Sequence, residues 1–425
     1  MDQEKDPQVN PAETPAGDPA PAEKVSRRRA LKYGVSGIAC LCGGAAIYKA
    51  GQLYYTKRVV PEAARVEVFK GDAPQGEVWE EWQRRGWVRE ARHYLEMGEN
   101  VQCHLCPNEC ILEPEDRSRC RGRVYKDGKL YTMSYGDPCA VHADPIEKKP
   151  LFHFMPGTRA FSIATSGCGF RCLNCQNWEI SQAKPEEVKD DSIPLCPDDV
   201  VTVAKRSGCE SIAYTYSEPT VWYEYMYDTA KVARANNVKN VWVTCGYIQE
   251  KPLVELCEYM DAANVDLKSF DDEIYKKLNS GKLEPILNTL KTLDREGVWF
   301  EVTNLIVPTY TDKPDMIRRM CGWLVENLGP DYPLHFSRFH PQHKLTNLPP
   351  TPVAVLEEAR SIAREVGLHY VYVGNCREVE DAETTFCPKC KEAVIRRNIY
   401  SVESTNLDDG KCAGCGTKIA GVWDA

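Results

Sequence analysis

A β-branched and apolar run, Phe161-Ser-Ile-Ala-Thr-Ser166, leads straight into Cys168-Gly-Phe-Arg-Cys172-Leu-Asn-Cys175. The run reads as a buried strand. In α/β folds, a strand ending in a ligand-bearing loop is where chemistry is placed. Three thiolates at Cys-x3-Cys-x2-Cys spacing can hold three corners of a cubane iron–sulfur cluster. A cluster closed by the protein needs four thiolates, and the next cysteine along the chain is Cys196. One iron then stays open to a small molecule that both coordinates and reacts. The plainer readings of the same residues are three thiols of a zinc site or buried structural cysteines.

Beyond this loop, strand and helix signals alternate. Strand-like runs are Ser211–Tyr216, Asn240–Cys245, Ala263–Leu267, Trp299–Val307, Leu334–Phe339 and Tyr370–Val373. Helical patterns lie between them at Thr220–Ala235, Pro252–Met260, Pro285–Glu296, Asp315–Leu328 and Pro352–Val366. Gly297 and Gly367 read as helix stops, and Pro352 as a first-turn residue. Such alternation argues for a parallel sheet wrapped by helices, and six or seven strands suit a partial α/β barrel. A chain of 425 residues is long enough for two or three units. We divide it into a tail and signal-like segment at 1–50, an extension at 51–150, the barrel at 151–378 and a terminal module at 379–425.

The formal charge of −9, from 53 basic and 62 acidic residues, gives no reason to expect a nucleic-acid partner. Eleven of the 20 cysteines fall in three groups with metal-ligand spacing, which favours metal sites over a disulfide framework. Besides the loop, Cys103-x2-Cys106-x3-Cys110-x9-Cys120 supplies four thiols at close spacing. It reads as a zinc site, the geometrically simpler occupant, or a second iron–sulfur cluster relaying electrons; His104 reads as a bystander. Cys387-x2-Cys390 and Cys412-x2-Cys415 are paired knuckles with zinc-ribbon spacing, rubredoxin-like iron being the competing occupant.

Residues 1–25 are proline-rich and acidic, with almost no large apolar side chain, so they should be disordered. Ser26-Arg27-Arg28-Arg29-Ala30-Leu31-Lys32 and the uncharged stretch Tyr33–Tyr48 resemble a twin-arginine export signal, with alanine where phenylalanine is usual. The expectation is export, or an uncleaved anchor at the inner membrane, with a cytoplasmic protein as the alternative. Membrane contact is expected only through this segment. Cys40 and Cys42 suggest a lipoprotein, but Gly37-Ile38-Ala39-Cys40 lacks the leucine usual three residues before the thiol.

Several further blocks carry a family resemblance. In order they are Asp144-Pro-Ile-Glu-Lys-Lys-Pro150, the cysteine loop with Gln176-Asn177-Trp178, and Tyr214-Thr-Tyr-Ser-Glu-Pro219. Then come Ala263-Asn-Val-Asp-Leu-Lys268, Leu334-His-Phe-Ser-Arg-Phe-His340 and Tyr370-Val-Tyr-Val-Gly374. From about residue 100 onward the chain resembles the radical S-adenosylmethionine (SAM) enzyme of the AmmeMemoRadiSam system, related to pyruvate formate-lyase activating enzymes. The resemblance implies a partial (β/α)6 radical SAM barrel flanked by an N-terminal Cys-rich module and a C-terminal zinc-ribbon-like module. It implies a 4Fe-4S cluster on Cys168, Cys172 and Cys175 with SAM on the open iron, cleaved reductively to a 5′-deoxyadenosyl radical that abstracts hydrogen from a substrate. By the same resemblance Ser217, Glu218, Asp266, Lys268 and His340 contact SAM. A flavodoxin- or ferredoxin-like reductant and Memo-like and AMMECR-like proteins are the implied partners.

Asn174 departs from the family pattern, standing where an aromatic residue usually packs against adenine, and Gly169 where asparagine is frequent. A glycyl-radical-enzyme activating enzyme is the alternative within the same chemistry. A non-catalytic electron-transfer or scaffold protein is the alternative of another class. Arg171 is expected to organise the loop, and Tyr216, Tyr247 and Arg338 are candidate lining residues.

Overall fold

The computed structural model describes residues 66–424, so the twin-arginine-like segment, Cys40 and Cys42 lie outside the described residues. Among the described residues no helix is long and apolar enough to cross a membrane. At the centre stands an eight-stranded sheet: β1 (Ala140–Pro145), β2 (Arg159–Ala164), β3 (Ser211–Tyr214), β4 (Lys239–Thr244), β5 (Ala262–Asp266), β6 (Trp299–Ile306), β7 (Leu334–Arg338) and β8 (Val371–Gly374). The strands lie side by side in chain order, and β1 and β8 are its two open edges. From β2 to β8 every pairing is parallel, while β1 runs antiparallel to β2 with Ala140 opposite Ala164.

Each parallel step is bridged by a helix: α1 (Pro197–Arg206), α2 (Tyr223–Ala235), α3 (Glu250–Cys257), α4 (Glu284–Glu296), α5 (Pro314–Leu328) and α6 (Val353–Val366). Six strand–helix units therefore precede β8. The alternation predicts their strands and five of their helices; the mixed edge at β1 and helix α1 are additions to it. Gly297 and Gly367 end α4 and α6 in the left-handed region, with φ of 74° and 115°. Pro352 corrects the expectation: it is the N-cap of α6, one residue outside the first turn. The segment expected as helix from Thr220 begins as a 3-10 turn, Pro219–Trp222, before α2.

Period-two alternation sorts the sheet's faces. In β3, Ile212 and Tyr214 join the large core under the helices. Ala213 instead joins Ala160, Val241 and Ala262 on the opposite face, against Ile146, Leu151, Phe154 and Met155. Small side chains there let the 146–155 turn seat itself against the sheet.

The segment before β1 carries two three-stranded antiparallel sheets, one from Arg89–Glu90, Arg123–Lys126 and Lys129–Thr132, the other from Tyr94–Met97, Asn100–Cys103 and Ile111–Leu112. It is tied to α2 by a buried bidentate pair, with Arg123 Nη2 2.8 and 2.7 Å from the Glu224 oxygens. After β8, Thr385–Phe386, Ala393–Asn398 and Ser401–Thr405 form a third antiparallel sheet. Val394 on its apolar side clusters with Ile419, Tyr370, Tyr372 and Phe152.

Candidate active site

The carboxyl ends of the parallel strands open on a cavity of about 1460 Å³, lined among others by Cys168, Cys172 and Cys175. Gly167 makes the turn from β2 into the cysteine loop with φ of +97°, and a Cβ there would lie 2.4 Å from the Cys120 carbonyl oxygen. Arg171 then ties the loop together, Nη1 donating to the carbonyls of Cys168 and Phe170 at 3.1 and 3.0 Å and Nη2 to that of Arg119 at 2.5 Å. Phe170 is buried against Tyr247, ring centroids 4.8 Å apart, and against the bare Cα of Gly281.

Polar groups surround the three sulfurs. The Phe170 N–H lies 3.4 Å from Cys168 Sγ, Asn279 Nδ2 3.2 Å from Cys172 Sγ, and Ser181 Oγ 3.2 Å from Cys175 Sγ. Burial pushes the Cys172 thiol up to about 11, against the opposing charge of Lys268. A thiol so placed ionises when a metal takes it. Hydrogen bonds to sulfur are the contacts by which proteins tune iron–sulfur clusters, so this donor set fits one.

Four of the five expected SAM contacts line the same cavity: Ser217, Asp266, Lys268 and His340. Lys268 Nζ pairs with Asp266 Oδ2 at 2.7 Å. Ser217 Oγ donates to the Thr165 carbonyl at 2.6 Å, and His340 is exposed two residues beyond β7. Glu218 is the exception. Its Oε1 accepts from Thr220 N, Thr220 Oγ1 and Thr244 Oγ1 at 3.0, 2.6 and 2.8 Å, and its Oε2 from Cys245 N at 2.8 Å. It caps the 3-10 turn and braces the end of β4, facing away from the large cavity.

Asn174 Oδ1 is buried without a hydrogen-bond partner while Asn174 lines the cavity. An amide oxygen left open there can accept from an exocyclic amine, where stacking by an aromatic residue is absent.

The structure also sets Asp144 and Lys149, to which the sequence assigned no site role, against Tyr216, an expected lining residue that does line the cavity. Lys149 Nζ lies 2.7 Å from Asp144 Oδ2 and 4.7 Å from the Tyr216 ring, and the Tyr216 hydroxyl donates to the same carboxylate oxygen. Burial alone would raise Asp144, but hydrogen bonds from Lys148, Lys149 and Tyr216 hold its carboxyl well below the usual carboxylate range. Burial brings Lys149 down to about 8 despite its carboxylate partner. Tyr216 has φ of 68°, rare for so large a side chain. Both its block and that of Asp144 and Lys149 were visible as motifs, but nothing in them announced the contact. Cys245, at the end of β4, also reaches the cavity. Of the other candidates, Arg338 lines the cavity and Tyr247 does not.

One wall comes from the far end of the chain, through Glu383, Arg396, Arg397, Tyr400 and Glu403. Below it, Glu301 receives the N–H groups of Phe152 and His153 at 3.0 and 2.7 Å and lies 2.7 Å from His335 Nε2.

The two remaining cysteine groups differ in shape. The sulfurs of Cys387, Cys390, Cys412 and Cys415 all lie within 4.8 Å of one another, so one metal ion can take all four. Cys103, Cys106, Cys110 and Cys120 instead line an enclosed cavity of about 20 Å³. His104 is not part of that lining, and its Nδ1 lies 3.9 Å from Glu109.

Residues 162–324 match the model of the radical SAM superfamily. An uncharacterized protein of Methanocaldococcus jannaschii is 48% identical over 78% of this chain and 99% of its own length. The pyruvate formate-lyase-activating enzyme of Clostridium pasteurianum is 26% identical over 41% of this chain and 71% of its own. A radical SAM methyltransferase structure from Sphaerobacter thermophilus aligns with a TM-score of 0.42 at 12% identity, over 69% of this chain and 80% of that one. With the cysteine loop at the mouth of the sheet and the match over residues 162–324, the chain carries a domain of the radical SAM superfamily, enzymes that cleave SAM at an iron–sulfur cluster.

Proposed function

We propose that this enzyme acts in the AmmeMemoRadiSam system, abstracting hydrogen from a substrate held between the sheet and the C-terminal segment. The observation that carries this reading is the shared cavity onto which the three loop thiols, Ser217 and the Asp266–Lys268 pair open. When bound, the cluster supplies an electron and SAM supplies the 5′-deoxyadenosyl radical. The residues do the holding. Cys168, Cys172 and Cys175 would take three irons, and the Lys268 ammonium would receive the carboxylate of SAM while Asp266 keeps it charged. Asn174 Oδ1 would accept from adenine, with His340 at the rim. Glu218 acts one layer back, fixing the ends of β3 and β4. The Cys387–Cys390–Cys412–Cys415 group would hold zinc and so keep the far wall in shape. Memo-like and AMMECR-like proteins are the proposed partners, a flavodoxin- or ferredoxin-like protein the reductant, and residues 1–50 the means of export or anchoring.

Activation of a glycyl radical enzyme is a second reading, favoured by relatives such as the pyruvate formate-lyase-activating enzyme of Clostridium pasteurianum. Against it weighs the wall from Glu383 to Glu403, since this chain's own C-terminal segment lines the cavity that a partner's loop would have to enter.

The test is SAM cleavage by the anaerobically reconstituted full chain with dithionite, beside a Cys168→Ala, Cys172→Ala, Cys175→Ala variant. Formation of 5′-deoxyadenosine by the parent alone is the expected result. SAM bound by an intact cluster and left uncleaved would sink the reading.

A further inference from the structure

The three cysteine groups differ in how far apart their sulfurs stand. A tetrahedral zinc with bonds of about 2.3 Å puts its sulfurs about 3.8 Å apart. In the C-terminal group Cys387–Cys415 and Cys390–Cys412 are each separated by 3.6 Å, and all four sulfurs fall within 4.8 Å. Among the described residues no other set of three or more such ligands is that close. Cys168, Cys172 and Cys175 stand wider, as a cubane requires, because each sulfur caps a different iron atom.

In the N-terminal group, too, no three sulfurs come within 4.8 Å of one another. Cys103, Cys106, Cys110 and Cys120 line a cavity of about 20 Å³ together with Leu105, Phe170, Val221 and Tyr247. Four sulfurs closed on one ion leave no gap for even a water molecule, which needs about 10–15 Å³ on this measure. A void shared by four separated thiols has room for a polynuclear core.

We infer that Cys103, Cys106, Cys110 and Cys120 hold a second, fully thiolate-ligated iron–sulfur cluster and not zinc. With four thiolates it offers no open iron for SAM, and electron exchange is the role its place beside the loop suits. Cys120 and Gly167 meet backbone to backbone, and Asn108 Nδ2 and Arg119 Nε both donate to the Gly169 carbonyl, at 3.0 and 3.1 Å. Phe170 and Cys245 line both cavities, so these side chains form a shared wall between the two cysteine groups. One electron from an external ferredoxin- or flavodoxin-type carrier, which leaves oxidised by one, would reduce the N-terminal group. The same electron would pass to the Cys168–Cys172–Cys175 group, with no bond or proton exchanged. The direction of that transfer rests on the proposed function; the occupancy does not.

The experiment is iron, zinc and acid-labile sulfide analysis of the full chain after anaerobic purification and reconstitution. It is run on the parent and on the Cys168→Ala, Cys172→Ala, Cys175→Ala variant. The variant should keep about four irons with matching sulfide and a brown colour if the core is a cubane, or about two if it is the smaller cluster. A Cys103→Ala, Cys106→Ala chain should lose that fraction. A loop variant that is colourless, whether it holds two zinc ions or no second metal, overturns the inference. Failure of SAM cleavage by a parent whose loop variant still holds iron would strike the proposed function alone. Should the Cys103→Ala, Cys106→Ala chain fail to fold, the loop variant still decides the matter.

Discussion

Arg397 Nη2 donates to the Phe152 carbonyl at 2.5 Å, joining the antiparallel sheet that follows β8 to the turn beneath the central one. The same guanidinium gives Nη1 to Thr385 Oγ1 and the Glu383 carbonyl at 2.9 and 3.1 Å and lies 4.4 Å from the Phe152 ring. Its side chain is fully buried. Arg397→Met strands these acceptors and should cost about 1–3 kcal/mol, the scale for buried acceptors left without a donor. Chemical denaturation gives the loss, and trypsin should cut beyond residue 379 sooner than in the parent. Arg397→Lys should not restore it, since one ammonium cannot reproduce the fork.

Gly167→Ala should be far worse than Gly208→Ala, although both glycines have positive φ, +97° and +63°. At Gly208 a methyl group meets open space, so backbone strain of about 1 kcal/mol is the whole effect. At Gly167 it meets the Cys120 carbonyl oxygen at 2.4 Å, and neither backbone can give way without moving a cysteine loop. Iron per chain after reconstitution should fall in Gly167→Ala and hold in Gly208→Ala.

Glu218→Gln tests whether this carboxylate braces the fold or touches the cofactor. Both oxygens already accept from donors of the surrounding backbone and threonines. An amide turns one NH2 towards those donors, an expected loss of about 1–3 kcal/mol. Thermal melting of the metal-free chain should show it. An unchanged melt with weaker SAM binding would instead put Glu218 in the cavity.

Lys149 gives stability a pH dependence. Its folded pKa, brought down by burial to about 8, lies below the ordinary 10.5. Between these values the unfolded lysine holds a proton that the folded one lacks, so stability rises with pH across that window. Below about 8 both states carry it, and the slope from this residue vanishes. Unfolding free energies from pH 7 to 10.5 should therefore climb more in the parent than in Lys149→Met.

The alternation of apolar runs was enough to read the seven parallel strands and five of the six bridging helices, because a parallel strand buried on both faces leaves an uninterrupted apolar signature. Strand β1 left no such mark. Its residues, Ala-Val-His-Ala-Asp-Pro, lie at an edge with only one neighbour, and only the pairing with β2 makes them a strand. The cysteine spacing told which thiols belong together but not how wide they stand, which is a property of the loops between them. Glu218 carried a readable hint: an acidic residue before Pro219 and Thr220 is a turn-capping pattern. The contact of Tyr216 with Asp144, and the wall from Glu383 to Glu403, join residues far apart in sequence, and no local pattern encodes them.

The cavity wall has a consequence for how the molecule is made. Chains emerge from the ribosome amino end first, at about 5–20 residues per second. Cys168, Cys172 and Cys175 thus appear more than two hundred residues before the segment that walls them in. For roughly ten seconds or more at that pace, the loop stands open on one flank to whatever delivers iron and sulfide. Translation order leaves a loading window that the finished enzyme has closed.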